Sequence, residues 1–191
     1  MAVKSNYTMK HRRRREGKTN YNSRLKLLVS RKPRLVIRRT LKGIIAQIVT
    51  YTPDGDTVIH LARSSELTQF GLPVVNGNIP TAYLTGFLLA KKAKDFKEEL
   101  IVDFGVRSLT PKSRLFATVK GAIEGGLKVI ASDDSFPDDS RVQGKHIQDY
   151  AVLLKDNDEA YKKQFGEYLS QKVNPQDISG VYAKVKSALE K

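Results

Sequence analysis

Three runs of β-branched and other apolar residues stand out in the first third of the chain. Such runs, when turn residues bound them, are typical of strands. They predict strands at residues 34–39, 44–51 and 57–62, with a turn at Pro53-Asp54-Gly55-Asp56 between the second and the third. Because the connections are short, we expect an antiparallel meander.

Alternation along these strands predicts which side chains share a face of the sheet. Successive residues of a strand point to opposite faces. Arg34, Val36 and Arg38 therefore lie together on the first strand, and Gln47 and Val49 lie together on the second. One face of the sheet is thus expected to be partly polar.

Apolar residues recur at helical spacing farther along the chain. Residues 80–95 and 112–124 each have an apolar stripe, which predicts two amphipathic helices. Continuous apolar runs predict buried strands at residues 100–104 and 128–131. Strand, helix and strand in this order imply a right-handed crossover between parallel strands, so the sheet is expected to be mixed.

Beyond residue 132 the composition becomes acidic and rich in turn residues, and helical patterns then follow. They predict helices at residues 146–154, 158–171 and 175–189. Asn174 is placed as the N-cap of the last one. This part is predicted to be a helical C-terminal extension.

The amino-terminal segment has many cations and no apolar periodicity. Residues 1–50 hold fifteen Lys and Arg and one acidic residue, while residues 51–191 hold nineteen of each, so the formal charge of +14 lies at one end. Such asymmetry is typical of polyanion binders, because Lys and Arg displace the counterions condensed on phosphate. Alone, this arm is expected to be disordered. The chain is thus predicted to comprise a basic arm with a short helix at residues 1–30, an α/β core at residues 31–131 and the helical extension at residues 132–191.

The short helix at the end of the arm has a recognisable start. Thr19 or Asn20 is placed as its N-cap. Tyr21, Leu25 and Leu28 fall on one apolar face, which leaves Arg24 and Lys26 exposed. Tyr21 is expected either to pack through this face or to stack on an unpaired base.

Several kinds of chemistry are disfavoured. The chain has no cysteine, which excludes disulfides, thiolate zinc sites and cysteine nucleophiles. The three histidines His11, His60 and His146 are scattered, so no metal site is expected. Asp103-Phe104-Gly105 spells the magnesium motif of kinases, but the partner motifs are missing and we interpret it as coincidence. No secretory signal is present and no apolar run approaches the roughly 18 residues that cross a bilayer, so a cytoplasmic protein is expected.

Four stretches carry family-specific sequence: residues 12–28 (RRRREGKTNYNSRLKLL), 32–49, 77–92 (GNIPTAYLTGFLLAKK) and 101–127. They resemble the L-eighteen family of large-subunit ribosomal proteins, specifically its archaeal type. Bacterial members stop near the equivalent of Ile130. Residues 132–191 therefore look like the extension of archaeal and eukaryotic relatives.

The resemblance implies a fold, a role and a set of partners. The fold is a ribonuclease-H-like α/β core with a mixed sheet. The role is structural and not enzymatic: binding 5S rRNA and anchoring it in the central protuberance of the cytoplasmic ribosome. The implied partners are 5S rRNA, 23S-type rRNA and neighbouring ribosomal proteins, including the L-five family, with no cofactor, metal, membrane or small-molecule substrate. The expected RNA-binding residues are Lys10, His11, Arg12, Arg13, Arg14, Arg15, Lys18, Tyr21, Arg24, Lys26, Arg31, Lys32, Arg34, Arg38, Lys42 and Gln47.

Two alternative functions remain at this point. Ribonuclease-H-like nucleases hold two metal ions with carboxylates, the first on the opening strand. Here that strand carries Arg34, Arg38 and Arg39, and Asp103 has no partner that the sequence identifies. A general RNA chaperone is the second alternative and would bind without preference for shape or sequence.

The charge pattern distinguishes RNA from DNA only weakly. Phosphate attracts cations in both, but a reader of duplex DNA normally presents a recognition helix. None of the basic clusters lies on a long predicted helix. Folded RNA is read by shape, 2′-hydroxyls and splayed bases, on which Tyr7 and Tyr21 are candidates for stacking.

Overall fold

The computed structural model describes residues 8–190. Its centre is a four-stranded mixed sheet in the order β3-β2-β1-β4. The antiparallel meander predicted from the sequence is confirmed, and β4 pairs with β1 in parallel. The strands are β1 (Arg34–Arg39), β2 (Ile44–Thr52), β3 (Gly55–Arg63) and β4 (Ile101–Asp103).

The strand predicted at residues 128–131 is wrong, because this segment forms only a single bridge. Val129 pairs with Leu100 in parallel, through Leu100 N–H to Lys128 O at 2.8 Å and Ile130 N–H to Leu100 O at 3.1 Å. The chain then turns away into a short 3-10 helix at Asp133–Ser135. Mixed α/β architecture is confirmed, while the ribonuclease-H-like topology stays a prediction.

The described part of the chain has eight α-helices. The two helices predicted between residues 80 and 124 and the three predicted in the extension are confirmed. None of the helices within residues 8–190 is both long and apolar enough to span a bilayer. The helices are α1 (Arg12–Arg15), α2 (Tyr21–Val29), α3 (Ile79–Lys92), α4 (Arg114–Glu124), α5 (Asp139–Val142), α6 (Lys145–Leu153), α7 (Asp158–Ser170) and α8 (Ile178–Glu190).

Helices α3 and α4 cover one face of the sheet. The strand residues Leu35, Ile37 and Ile48 on that face are fully buried in a shared core with the two helices. The helix backbones touch at Gly86 and Gly121. A Cβ added to Gly121 would lie 2.0 Å from the carbonyl oxygen of Tyr83, and one added to Gly86 would lie 2.0 Å from that of Thr118. One face of the sheet is thus closed and the other is left for the amino-terminal segment.

The carboxy-terminal helices pack on α3 and extend the same hydrophobic core. Tyr182 of α8 is buried, and its hydroxyl accepts a hydrogen bond from Asn78 Nδ2 at 2.9 Å. Asn78 in turn caps α3 by accepting from the Thr81 N–H. Asn174, predicted as the N-cap of the last helix, caps the 3-10 turn Pro175–Asp177 that leads directly into α8. The core therefore continues past residue 131, where the sequence predicts a boundary.

Candidate nucleic-acid interface

A groove of about 810 Å³ lies on the open face of the sheet. The segment from Arg13 to Leu27 forms one wall, and the loop after β4 forms the other. Six basic and two acidic side chains line it, so its net charge is positive. They are Arg13, Lys18, Arg24, Arg34, Arg38, Arg107, Asp56 and Asp103.

Arg34 lies at the bottom of this groove between two carboxylates. Its side chain is only 2% exposed, with Nη1 at 3.0 Å from Asp103 Oδ2 and Nη2 at 2.7 Å from Asp56 Oδ1. The first contact is a hydrogen bond, whereas the second is an ion pair without hydrogen-bond geometry. Arg34 is therefore the partner of Asp103 that the sequence alone does not identify. Arg34, predicted to bind RNA, has almost no surface to offer to it.

Arg24 joins helix α2 to the sheet. Its two terminal nitrogens donate to both carboxylate oxygens of Asp56, each at 2.8 Å. Burial alone would raise the pKa of Asp56, but the contacts from Arg24 and Arg34 outweigh it and hold that pKa below its ordinary value. The expectation that Arg24 is exposed and Leu25 packed is wrong, because this ion pair turns Arg24 inward and leaves Leu25 65% exposed.

Replacing Asp56 with Asn is expected to loosen α2 from the sheet. The Asp56 and Arg24 side chains are each about a third exposed, so the pair contributes modestly. Amide hydrogen exchange in Tyr21–Val29 should speed up by roughly two- to fivefold. Acidification should also loosen α2, seen as a lower protection of its amides relative to their intrinsic exchange at the same pH, because a carboxylate with a lowered pKa stabilises the fold above pH about 4 and loses that contribution as the pH falls through its folded pKa.

The matched control is Asp54→Asn, an exposed aspartate in the same turn. It should leave exchange in α2 unchanged. Equal exchange rates in the two variants would show that Asp56 does not hold the helix.

Arg38 is held at the edge of the groove while remaining 43% exposed. Its Nη1 donates to the carbonyl oxygens of Asp103 (2.7 Å) and Ile37 (3.0 Å), and its Nη2 donates to Asp103 Oδ1 at 3.1 Å. Gly105, at φ +74°, donates its N–H to the same Oδ1 at 2.8 Å. The Asp103-Phe104-Gly105 sequence thus forms a turn that fixes an arginine.

The arm lies on the surface. Residues 8–18 are all exposed. Arg13 donates to Thr19 Oγ1 at 2.8 Å, Lys18 pairs with Glu16 at 2.8 Å, and the His11 ring lies 5.1 Å from that of Tyr21. Tyr7 falls outside the described residues. The remaining predicted arm cations, all exposed, are Lys10, Arg12, Arg14 and Arg15.

Four other predicted site residues lie outside the groove lining. Lys26 is exposed on α2, and Arg31 and Lys32 are exposed just before β1, where Lys32 pairs with Glu99. Lys42, in the turn between β1 and β2, is 81% exposed. Exposed basic residues outside the groove therefore lie on α2 and at both ends of β1.

The loop after β4 contributes residues that sequence reasoning missed. Arg107 lines the groove between two half-exposed apolar side chains, Val106 and Leu109. Exposed apolar residues flanking an arginine directly after a buried strand are the signal that identifies them. No group of three or more His, Asp or Glu within residues 8–190 is arranged to hold a metal ion.

Residues 5–100 match the family described as "Ribosomal large subunit proteins 60S L5, and 50S L18". Large ribosomal subunit protein uL18 of Thermofilum pendens is 45% identical over 192 residues, an alignment that covers 100% of this chain and 98% of that relative. The resemblance seen in the sequence is thereby confirmed. The chain belongs to the uL18 family of large-subunit ribosomal proteins.

Proposed function

We propose that this protein binds 5S rRNA and anchors it in the central protuberance of the large subunit. The observation that carries the proposal is the cationic groove, with its exposed basic arm, on the face of the sheet that α3 and α4 leave open. Cations gathered on one face of a rigid scaffold favour a folded polyphosphate surface, because each phosphate contact releases condensed counterions.

The predicted residues divide into two roles in this proposal. The exposed ones, from Lys10 to Lys18 together with Arg38 and Lys42, contact RNA directly. Arg24 and Arg34 act through Asp56 and Asp103, since their guanidinium groups are engaged there. They position the arm and the groove for RNA.

The remaining partners in the proposal are 23S-type rRNA and neighbouring ribosomal proteins, including the L-five family. The exposed faces of the carboxy-terminal helices suit protein contacts, because Leu153 and Val152 of α6 are 76% and 58% exposed. A structural role fits the groove better than nuclease chemistry does. Asp103 and Asp56 there hold arginines, which compete with any cation for the same oxygens.

Competition binding tests the proposal. Labelled 5S rRNA of Thermofilum pendens is bound to the protein and challenged with unlabelled 5S rRNA, unstructured RNA or duplex DNA of equal length. We expect 5S rRNA to compete at least about tenfold better than either alternative, because folded RNA is recognised by shape and 2′-hydroxyls. Equal competition by all three would reject specific recognition and favour a general RNA chaperone.

A further inference from the structure

We propose that the groove receives one unstacked nucleobase of the bound RNA, stacked on the guanidinium of Arg38 with its edge at the amide of Gln47. This inference rests on the proposed function and specifies what its site recognises. It assigns Arg38 to a base and not to a phosphate. The support comes from the geometry of the groove.

The polar edge of Arg38 is largely used by the protein. A guanidinium has five N–H donors, and three of them are engaged by Ile37 O, Asp103 O and Asp103 Oδ1. Within residues 8–190, the two donors that remain, Nε–H and one N–H of Nη2, lie next to each other on one edge of the group and stay available to a polar ligand atom. The flat surface of the group is the part suited to stacking on a base.

One of the two flat faces of Arg38 is already covered by Gly105. A Cβ built on Gly105 would lie 3.1 Å from Arg38 Cζ and 3.3 Å from both Nε and Nη1. If this Cβ position lay in the guanidinium plane on the side of Nε and Nη1, it would be closer to the two nitrogens than to Cζ. It is closer to Cζ, so Gly105 lies over the plane. The side chain is 43% exposed and lines the groove, so the opposite face is the one that we assign to the base. The peptide of Gly105 therefore packs against the face of the Arg38 guanidinium that is opposite the proposed base.

Gln47 is the neighbouring polar group on the same face of the sheet. Val36 pairs with Gln47 and Arg38 with Ile45, which makes Arg38 and Gln47 diagonal neighbours. Such neighbours are about 7–8 Å apart, the scale of a nucleobase. Within residues 8–190 no hydrogen bond of the Gln47 side chain is formed, so its amide has both a donor and an acceptor for a base edge.

The rest of the groove fits the same ligand. Its volume of about 810 Å³ is in the range of pockets that enclose small ligands, roughly 300–1,000 Å³. Val36 and Val49 form a buried apolar floor beside Gln47, and the exposed Lys18 and Arg107 lie along the walls where flanking phosphates would pass. A base within a duplex is stacked and paired, so the occupant is an unpaired nucleotide of a loop or a bulge.

Arg38→Lys tests the stacking surface, because lysine keeps the charge and loses the plane. Binding to Thermofilum pendens 5S rRNA should weaken by about tenfold, with an unchanged dependence on salt. The control Arg107→Lys should bind nearly as the original protein does, since a phosphate contact needs only the charge. Unchanged affinity of Arg38→Lys would overturn the proposal, as would a salt slope reduced by about one in Arg38→Ala.

Gln47→Met provides a second test that leaves the arginine network untouched. Chemical probing of the base edges of 5S rRNA, at saturating protein, should reveal an unpaired nucleotide protected by the original protein and reactive with Gln47→Met. If the two proteins protect the same bases, no base edge meets Gln47. The competition assay distinguishes the failure of the nucleobase site from the failure of 5S rRNA binding as a whole. If the preference for 5S rRNA persists while Arg38→Lys and Gln47→Met have no effect, only the nucleobase site is rejected.

Discussion

Removing residues 1–18 is expected to lower the affinity for 5S rRNA by at least about 100-fold at moderate salt, with little change in melting temperature. The deletion removes seven Lys and Arg. The described part of it, residues 8–18, is wholly exposed, so little packing is lost. Ending the deletion at residue 18 leaves Asn20, whose side chain caps α2. Filter binding across a salt series and thermal unfolding measure the two effects, and the salt slope should fall by several units.

A charge-matched pair of variants separates location from charge. Replacing Arg12, Arg13, Arg14 and Arg15 with Gln removes four positive charges from the arm. Replacing four exposed lysines of the carboxy-terminal helices and the adjoining loop removes the same charge elsewhere. The arm variant should lose far more affinity. Equal losses would mean that overall charge, and not the arm, attracts RNA. The four control lysines are Lys162, Lys163, Lys172 and Lys184.

Asp103→Ala should destabilise the fold by about 3–5 kcal/mol, because it deprives the buried Arg34 of a carboxylate. Arg34 is 2% exposed and its remaining anion, Asp56, makes no well-directed hydrogen bond to it. The same change also removes the carboxylate oxygen that accepts from Arg38 Nη2 and from the Gly105 N–H. Thermal unfolding should show a decrease of roughly 10 °C in melting temperature.

Asp95→Ala is the control for this loss, since Asp95 is exposed in the turn that follows α3. It should change the melting temperature by no more than a degree or two. A similar small shift for Asp103→Ala would mean that the buried ion pairs do not stabilise the fold.

The parts of the fold that the sequence predicts are those with local causes. The meander follows from short β-branched runs and a turn at Pro53–Asp56, and α3 follows from its apolar stripe. The bridge at Val129 shows what local sequence does not predict. Its segment has strand propensity, but a strand needs a neighbouring strand of matching length to pair with, and β4 is only three residues long.

The sequence shows those residues of the proposed site that charge alone defines, and it does not show contacts that join distant residues. The exposed cations of the arm are visible in composition. The contact of Arg34 with Asp103 spans 69 residues and exists only because β1 and β4 pair in parallel. Arg24 turns inward for a similar reason, since its partner Asp56 is 32 residues away. Arg107 lies in a loop, where no periodicity marks it.

The bidentate contact between Arg24 and Asp56 has a consequence for the kinetics of assembly. Because α2 is already docked, its own ordering costs nothing when RNA arrives, and the arm is tethered at a fixed point beside the groove. Once the groove has bound RNA, the arm meets the same RNA molecule in an intramolecular step, at an effective concentration on the order of millimolar. The arm then acts chiefly on dissociation: each time one contact opens, the other keeps the RNA close enough to rebind.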